Sequence, residues 1–449
     1  MDVFPGIHRE QEKGTGAAKC QGTLEIAGSA AKRLSDDTAG EQEWWQQIAE
    51  LGSPIAEALD KDRIKMTWFW RDPQGSEAHS ATRRVYVDIN GVTDHHSTSP
   101  ASMQRLPDTD VWHWSTTVEH DWRGSYSLIP ISDSHLPPVF STDDGERKRQ
   151  QRAWWISLFP LAIADPLNLY PANFTRYSYP HCVAQAPSAP DQSVWLAADK
   201  AFKSQRCQHF VWESSQLGNR RDIWLYASGE AEDDARRPLV ILLDGQNWID
   251  GYPLLPVLES ATTNGTLPAA CYLFIDVIDS AHREKELPCN AEFWQAIQHE
   301  LLPLAKQRMA FSDDGERTIV AGQSYGGLAA MYAGLHWPER FGRVLSQSGS
   351  FWWPNLQLMT HFEQRHRLEA GWLTQQLQRS DVAPASLSIF MEAGNRESDI
   401  EFVNQQLYQA LKAAGHRVSY RVFSGGHDAL CWRGGLLDGL HQLLSDMDS

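Results

Sequence analysis

One short segment, residues 322–327, constrains the fold of this chain more than any other. It reads Gly322-Gln323-Ser324-Tyr325-Gly326-Gly327, directly after the apolar residues 318–320 and before the helix-like stretch 328–335. Small residues on both sides of Ser324 allow a sharp turn from strand to helix, which presents a serine hydroxyl at the carboxyl edge of a sheet. The N-terminus of the helix then lies behind the hydroxyl. We therefore predict an α/β fold with Ser324 as nucleophile; the alternative is an ordinary glycine-rich turn.

The sequence after about residue 194 alternates between strand-like and helix-like segments. Nearly continuous apolar runs lie at residues 238–244, 271–278, 317–322, 344–348, 386–393 and 418–423. Strands of this composition are typical of a parallel sheet covered on both faces, and the intervening segments have helical spacing. The sequence predicts a three-layer α/β domain with a mostly parallel sheet, which we assign to residues 188–449.

The region before this domain has a different pattern. Short alternating runs at residues 66–70, 84–89, 111–115 and 125–129 are separated by turn signals, which predicts a small all-β sandwich over residues 41–187. One or two short helices are expected between residues 41 and 59. Residues 1–40 contain few large apolar groups and are predicted to form a loose tail. The tryptophans of the sandwich, Trp68, Trp70, Trp112 and Trp114, can fill its core or form a ligand platform.

A serine hydroxyl needs a base and an acid that orients the base. His427 follows the last strand in Gly425-Gly426-His427-Asp428, after Ser324 in chain order as this type of site requires. The loop after residues 388–393 offers two acids, Glu397 and Asp399. We favour Glu397; Asp399 can instead stabilise the N-terminus of the following helix, and a site with no acid remains a third reading.

Ester chemistry also needs hydrogen-bond donors for the oxyanion. One is expected from the amide of Tyr325, directly after the nucleophile, and one from the loop after residues 238–244. We assign the second donor to the amide of Gln246, with Gly245 as the residue that lets the chain turn.

Composition excludes several other classes of protein. The 449 residues carry 40 Lys+Arg and 57 Asp+Glu, a net charge of -17, so neither a nucleic acid nor an anionic membrane is expected as partner. No apolar run approaches the ~20 residues of a membrane span. The six cysteines are scattered without the spacing of metal ligands, so no metal or other cofactor is expected, and a cytoplasmic location fits best.

These motifs resemble those of the esterase D branch of the α/β-hydrolases. The resemblance lies in residues 322–327, Asp244-Gly245, Arg283-x-x-Glu286-Leu287 and residues 426–428. Residues 217–224, 243–248 and 425–436 resemble more specifically the enterochelin (enterobactin) esterases. The Trp-rich N-terminal region, with Asp165-Pro166-Leu167-Asn168, is similar to the extra domain of that family.

The resemblance implies a cytoplasmic serine esterase that opens the cyclic trimer of 2,3-dihydroxybenzoylserine, in its ferric, free or glucosylated form. Iron is then part of the substrate. A ferric catecholate is anionic, so a cationic pocket is expected, with Arg283, Arg433 and Trp248 as substrate-binding residues. Arg396 is a further candidate.

Two alternatives are a carbohydrate-ester or feruloyl-type esterase and a non-catalytic siderophore-binding protein. The tryptophans of the N-terminal domain further predict that this domain forms one wall of the substrate cleft, because ligand sites favour domain interfaces.

Overall fold

The computed structural model of the protein describes residues 29–94, 97, 99–170, 172, 179–198, 202, 204–360, 362–380 and 386–447. Among these residues, no helix is both long and apolar enough to cross a lipid bilayer.

The N-terminal part contains two small antiparallel sheets. Their strands are β1 (Ile55–Ala58), β2 (Arg63–Arg71), β3 (Arg84–Ile89), β4 (Gln104–Arg105), β5 (Val111–Glu119), β6 (Arg123–Ile131) and β7 (Cys182–Gln185). The first sheet has the order β1-β2-β5-β4 and the second the order β3-β6-β7. Three helices accompany them, α1 (Ser29–Leu34), α2 (Gln42–Leu51) and α3 (Asp144–Leu158).

Alternation along the strands decides which side chains fill this sandwich. Trp68 and Trp70 of β2 point between the two sheets, where they pack with Tyr126 of β6. Phe69 points to the opposite face and contacts Trp44 of α2, with ring centroids 5.8 Å apart. Helix α3 covers the outer face of the second sheet in the same way, through Trp155. A helix therefore covers each outer face of this β-sandwich.

In this region one of the two alternatives for the tryptophans is excluded, and one prediction is wrong. Trp68, Trp70 and Trp112 are at most 5% exposed, so they fill the core and offer no platform to a ligand. The loose tail was predicted to reach residue 40, but α1 lies within it and is packed on the domain. The buried Ala30 amide donates to Glu57 Oε1 at 3.2 Å. Residues 1–28 of the predicted tail lie outside the described residues.

The C-terminal part is built on one eight-stranded sheet. Its strands are β8 (Cys207–Ser214), β9 (Asn219–Ala227), β10 (Leu239–Leu242), β11 (Cys271–Ile275), β12 (Thr318–Gln323), β13 (Arg343–Gln347), β14 (Ser388–Gly394) and β15 (Arg417–Phe423). The order is β15-β14-β13-β12-β10-β11-β9-β8, in which only the β11–β9 and β9–β8 pairs are antiparallel. The six predicted strands and the mostly parallel sheet are confirmed; the β8–β9 hairpin at one edge was not predicted.

Helices cover both faces of this sheet. They are α4 (Ser193–Leu196), α5 (Leu254–Thr263), α6 (Ser280–Glu286), α7 (Ala291–Ala296), α8 (Leu302–Lys306), α9 (Tyr325–His336), α10 (Gln357–Thr360), α11 (Trp372–Arg379), α12 (Ser398–Ala413) and α13 (Ala429–Ser445). Leu239 and Ile241 of β10 share a core with α9 and α12. Val240 and Leu242 share the other core with α5 and α13. The three-layer α/β domain is confirmed.

Candidate active site

The turn from β12 into α9 places Ser324 at the carboxyl edge of the sheet. Ser324 has φ 59° and ψ -120°, a strained backbone for a non-glycine residue. Gly322 is needed for this turn, because a Cβ there would lie 2.4 Å from the carbonyl carbon of Gly326. The Leu328 amide donates to the Ser324 carbonyl at 3.0 Å and begins the helix. The hydroxyl is therefore presented on a rigid strand–turn–helix unit with the positive end of the helix dipole behind it.

The histidine and one of the two candidate acids meet at the same edge. His427 Nδ1 lies 3.0 Å from Glu397 Oε2. The His427 side chain is 38% exposed, whereas that of Glu397 is 3% exposed. A buried carboxylate on Nδ1 fixes the orientation of the imidazole and leaves Nε2 for the substrate side.

Two further side chains hold this pair in place. Ser348 Oγ donates to Glu397 Oε1 at 2.8 Å, and the Trp432 indole donates to Ser348 Oγ at 2.9 Å. The Trp432 ring also packs edge-on against the His427 ring, with centroids 4.7 Å apart. Both oxygens of Glu397 are thus occupied.

Residues at the end of β13 contact both Ser324 and Glu397. The Ser324 amide donates to the Gln347 carbonyl at 3.0 Å, and Ser348 follows Gln347 in the chain. Ser324 Oγ lies 3.3 Å from Ser350 Oγ, and the Ser350 amide donates to the Ser324 carbonyl. The residues that position Ser324 and Glu397 are therefore neighbours on one short segment.

Asp399, the other candidate acid, has a different partner. Its carboxylate lies 3.3 Å from Nη1 of Arg365, and its side chain is 26% exposed. Burial raises the pKa of Asp399, and the Arg365 charge opposes this rise. Asp399 thus lies in the first turn of α12 and pairs with an arginine whose side chain is largely buried.

The two expected oxyanion donors follow adjacent strands, β12 and β10. Tyr325 is the first residue of α9, so its amide has no acceptor within the helix. Gln246 follows β10, which pairs with β12. Its side-chain oxygen accepts from the Val277 amide at 3.4 Å, which fixes the loop against the chain after β11.

Arg283 connects these two turns. Its Nε and Nη2 lie 2.6 and 2.9 Å from the two oxygens of Asp244, which has φ 53° at the start of the Gln246 loop. Nη2 also donates to the carbonyl of Gln323 at 3.3 Å. Burial would lower the pKa of Arg283, but the Asp244 carboxylate outweighs it and raises that pKa. The guanidinium therefore bridges the loop after β10, which carries Gln246, and the turn after β12, which carries Ser324. We call this contact the Arg283 clamp.

A cleft of about 300 Å³ opens beside these turns. The residues lining it all belong to the C-terminal domain: Asp244, Gln246, Asn247, Trp248, Tyr252, Val277, Asp279, Ser280, Arg283, Gln323, Ala429 and Trp432. Two of them adjoin the reacting groups, since Gln323 precedes Ser324 and Trp432 contacts His427. The cleft therefore adjoins the Ser324 turn and the His427 ring.

The structure does not bring all candidate substrate-binding residues to this cleft. Arg433 is 3% exposed; its Nε donates to Gln192 Oε1 at 2.6 Å and its guanidinium lies over the Trp195 ring. Burial lowers the pKa of Arg433 to about 10. Trp248 lines the cleft, but 98% of its surface is covered, partly by Trp195.

Arg396 is also engaged elsewhere, in an ion pair with Glu119 of the N-terminal domain at 2.8 Å. Within the described part of the chain, no group of three or more His, Cys, Asp or Glu side chains could hold a metal ion.

The sequence prediction missed Ser348, Trp432 and the clamping role of Arg283. A signal for Ser348 exists, because Ser348-Gly349-Ser350 directly follows β13 at the edge where Ser324 and Glu397 also lie. Trp432 lies in the first turn of α13, which begins shortly after His427. The Arg283–Asp244 pair spans 39 residues, and spacing alone does not reveal it.

Comparison with known proteins gives matches over both domains. "Enterochelin esterase, N-terminal" matches residues 65–195, and "Putative esterase" matches residues 214–443. The iron(III) enterobactin esterase of Dickeya dadantii is 57% identical over 426 residues, which are 94% of this chain and 97% of that protein.

Two solved structures share the whole architecture. The ferric enterobactin esterase from Salmonella typhimurium is 42% identical with a TM-score of 0.81, covering 91% of this chain and 100% of that one. The enterobactin esterase from Shigella flexneri, crystallised in the presence of enterobactin, is 43% identical with a TM-score of 0.77, covering 91% and 99%. Because these matches extend over both domains, the chain belongs to the enterochelin (enterobactin) esterase family.

Proposed function

We propose that this protein hydrolyses the ester bonds of enterobactin, in its ferric or iron-free form, with Ser324 as nucleophile, His427 as base and Glu397 as the orienting acid. The observation that carries the proposal is the His427–Glu397 contact of 3.0 Å at the sheet edge that also bears the strained Ser324 turn. The relatives named above, which match both domains, support enterobactin as the substrate.

In this mechanism, Ser324 Oγ attacks the carbonyl carbon of one ester while His427 Nε2 takes the hydroxyl proton. The imidazolium that forms is stabilised by Glu397, which is buried and therefore poorly screened by water. The carbonyl oxygen becomes an oxyanion, which the amides of Tyr325 and Gln246 stabilise. The collapse of this intermediate transfers the proton from His427 to the departing serine hydroxyl of the substrate.

Water then completes the cycle. His427 takes a proton from a water molecule that attacks the carbonyl carbon of the ester to Ser324. When the second oxyanion collapses, the bond to Ser324 Oγ breaks, His427 returns the proton to this oxygen, and the acid is released. The net reaction consumes one water for each ester that is cut. Opening the ring removes the preorganisation that makes the cyclic ligand bind iron so strongly, so the reaction assists iron release.

We place this reaction in the cytoplasm. All five cysteines in the described part of the chain are free thiols, as is usual in a reducing compartment. Cys20 lies outside the described residues.

Comparing substrates tests this proposal. We expect kcat/KM for ferric or iron-free enterobactin to exceed that for methyl ferulate by orders of magnitude. A preference for methyl ferulate would favour the feruloyl-type alternative. Labelling with a fluorophosphonate separates both esterases from a non-catalytic binder, because only an activated serine reacts. Intact protein mass should show one adduct with the unaltered chain and none with Ser324→Ala.

A further inference from the structure

The N-terminal domain touches the loops that carry His427 and Glu397. We call residues 424–428 the base loop and residues 394–397 the acid loop. The base loop follows β15, which is the edge strand of the large sheet and is largely exposed. The hydrolase sheet therefore supports the base loop on one side only, and the N-terminal domain lies on the other side.

The start of β6 runs along the base loop. The Arg123 amide donates to the Ser424 carbonyl at 3.1 Å. The Ser125 amide donates to Asp428 Oδ2 at 2.5 Å, and Asp428 Oδ1 accepts from the Leu430 amide at the beginning of α13. Asp428 is 5% exposed. This carboxylate, next to His427 in the chain, is thus shared between the two domains.

The turn after β3 contacts the base loop from another direction. Asn90 Nδ2 donates to the His427 carbonyl at 2.9 Å. Gly91 has φ +71°, and a Cβ at this position would lie 2.8 Å from the Gly426 Cα and 3.0 Å from the Arg396 Cβ. The turn therefore fits between the base loop and the acid loop with no space for a side chain.

The acid loop has its own link to the N-terminal domain. The Arg396 guanidinium pairs with Glu119 of β5, with Nε and Nη2 at 3.0 and 2.8 Å from Oε2. The Arg396 amide donates to the Gly425 carbonyl at 3.0 Å, which joins the acid loop to the base loop. Arg396 directly precedes Glu397. One domain thus contacts both members of the His427–Glu397 pair through their chain neighbours.

We propose that the N-terminal domain positions the catalytic base, with Asn90, Gly91 and Ser125 as positioning residues that hold the base loop against Glu397. This inference rests on the proposed role of His427. It differs from a wall of the substrate cleft, because the lining residues of the cleft come from the C-terminal domain and Asn90 contacts the backbone carbonyl of His427. A positioning role affects every ester, whereas a wall affects only a substrate large enough to reach it.

Gly91→Ala tests the proposal, with Gly75→Ala as its matched control. Both glycines lie in the N-terminal domain at positive φ, +71° and +91°, but a Cβ on Gly75 would meet nothing within 4 Å. Both variants therefore carry similar backbone strain, and only Gly91→Ala displaces the base loop. With p-nitrophenyl butyrate, we expect kcat to fall by at least about tenfold for Gly91→Ala and by less than about twofold for Gly75→Ala, since small misplacements of reacting groups are costly. KM should stay unchanged in both.

Asn90→Ala provides a second measurement in case Gly91→Ala does not fold. It removes one neutral hydrogen bond, so kcat should fall about three- to tenfold with an unchanged Tm. Asn168→Ala is its control, because Asn168 Nδ2 bonds only within the N-terminal domain, to the carbonyls of Ser53 and Val183 and the Tyr126 hydroxyl. That variant should lower Tm and leave kcat unchanged well below the Tm.

Three results would overturn the positioning role: equal kcat for Gly91→Ala and Gly75→Ala, a loss confined to enterobactin, or a kcat for Asn90→Ala equal to that of the unaltered protein. Ser324→Ala keeps this test distinct from the proposed function. If Ser324→Ala is inactive while Gly91→Ala matches its control, only the positioning role fails. Wild-type activity of Ser324→Ala would instead contradict the proposed function.

Discussion

At the scale of single residues, Glu397 has its two oxygens committed to different partners. Oε2 faces the imidazole of His427 at 3.0 Å, and Oε1 accepts from Ser348 at 2.8 Å. The carboxylate therefore cannot rotate away without losing a hydrogen bond in a buried site, which is costly. Asp399, two residues further along, faces Arg365 instead. This difference in partners is what favours Glu397 as the orienting acid.

Glu397→Gln and Asp399→Asn form a matched pair of variants. Glu397→Gln keeps the shape of the side chain but removes the charge that stabilises the imidazolium. We expect kcat/KM for p-nitrophenyl butyrate to fall about 10³- to 10⁴-fold, less than for Ser324→Ala, because the acid takes no part in bond making. Asp399→Asn should stay within about threefold of the unaltered protein. A larger loss for Asp399→Asn than for Glu397→Gln would assign the role to Asp399.

Chain order and local motifs pointed to Ser324, His427 and Glu397 because each follows a strand that ends at the same edge. The supporting residues were not predictable in this way. Ser348 reaches Glu397 across 49 residues, and Asn90 reaches His427 across 337. Such contacts depend on how the elements pack, which local spacing does not encode. Arg433 was selected because its motif lies beside the site in the sequence. Its side chain is instead buried against Gln192 and Trp195.

At the scale of elements, the Arg283 clamp joins the loop after β10 to the turn after β12. Arg283→Ala would leave Asp244 buried without its charged partner, which costs several kcal/mol. The loop that carries Gln246 would then lose its contact with the turn at Ser324. We expect kcat for p-nitrophenyl butyrate to fall at least about tenfold. Measuring kcat and KM on this neutral ester and on ferric enterobactin separates the two roles. A rise in KM for the anionic substrate alone, with normal kcat on the neutral ester, would show that Arg283 acts only by Coulomb attraction.

Asp165 joins β6 to the loop before β7. Tyr126 donates to Oδ2 at 2.7 Å and the Leu167 amide to Oδ1 at 2.9 Å. Burial nevertheless raises the pKa of Asp165 from 3.8 to about 6. A carboxyl whose pKa is raised by folding stabilises the fold in its protonated form. Its contribution is complete below about pH 4 and is lost as the pH rises through about 6.

Asp165→Asn should remove this pH dependence. The shift corresponds to about 3 kcal/mol, so the Tm of the variant relative to the unaltered protein should rise by several degrees between pH 4 and pH 7. Thermal unfolding of both proteins at intervals of half a pH unit measures this difference. A Tm difference that is constant over this range would show that Asp165 titrates at its ordinary pKa in the folded state.

The elements that could be predicted are those whose pattern reflects burial on both faces. β10 to β14 are wholly buried, and most of their residues are apolar. β8 is an edge strand with exposed Gln208, His209 and Glu213, so it shows no such run. Helix α3 is charged along most of its length and packs mainly through Trp155, although Asp143 caps its first turn by accepting from the Glu146 amide at 2.9 Å. The sequence analysis did not use this cap.

At the scale of the whole molecule, the two domains meet at the loop that carries His427. The change of pattern predicts two domains, but it does not predict that the β3 turn and the start of β6 lie against the base loop. The protein has a net charge of -17, and in the described cleft Arg283 is neutralised by Asp244. Arg283 therefore adds no net positive charge to this cleft, although the resemblance implied a cationic pocket.

The most direct test is to incubate ferric enterobactin with the unaltered protein and with Ser324→Ala, and to identify the products by chromatography. We expect the unaltered protein to convert the cyclic ligand into the linear trimer, with dimer and monomer following if further esters are cut. Ser324→Ala should leave the cyclic ligand intact at equal protein concentration, with an unchanged Tm as evidence of folding. Formation of the linear trimer at the same rate by both proteins, or no ring opening by the unaltered protein while it hydrolyses small esters, would contradict a Ser324-dependent enterobactin esterase.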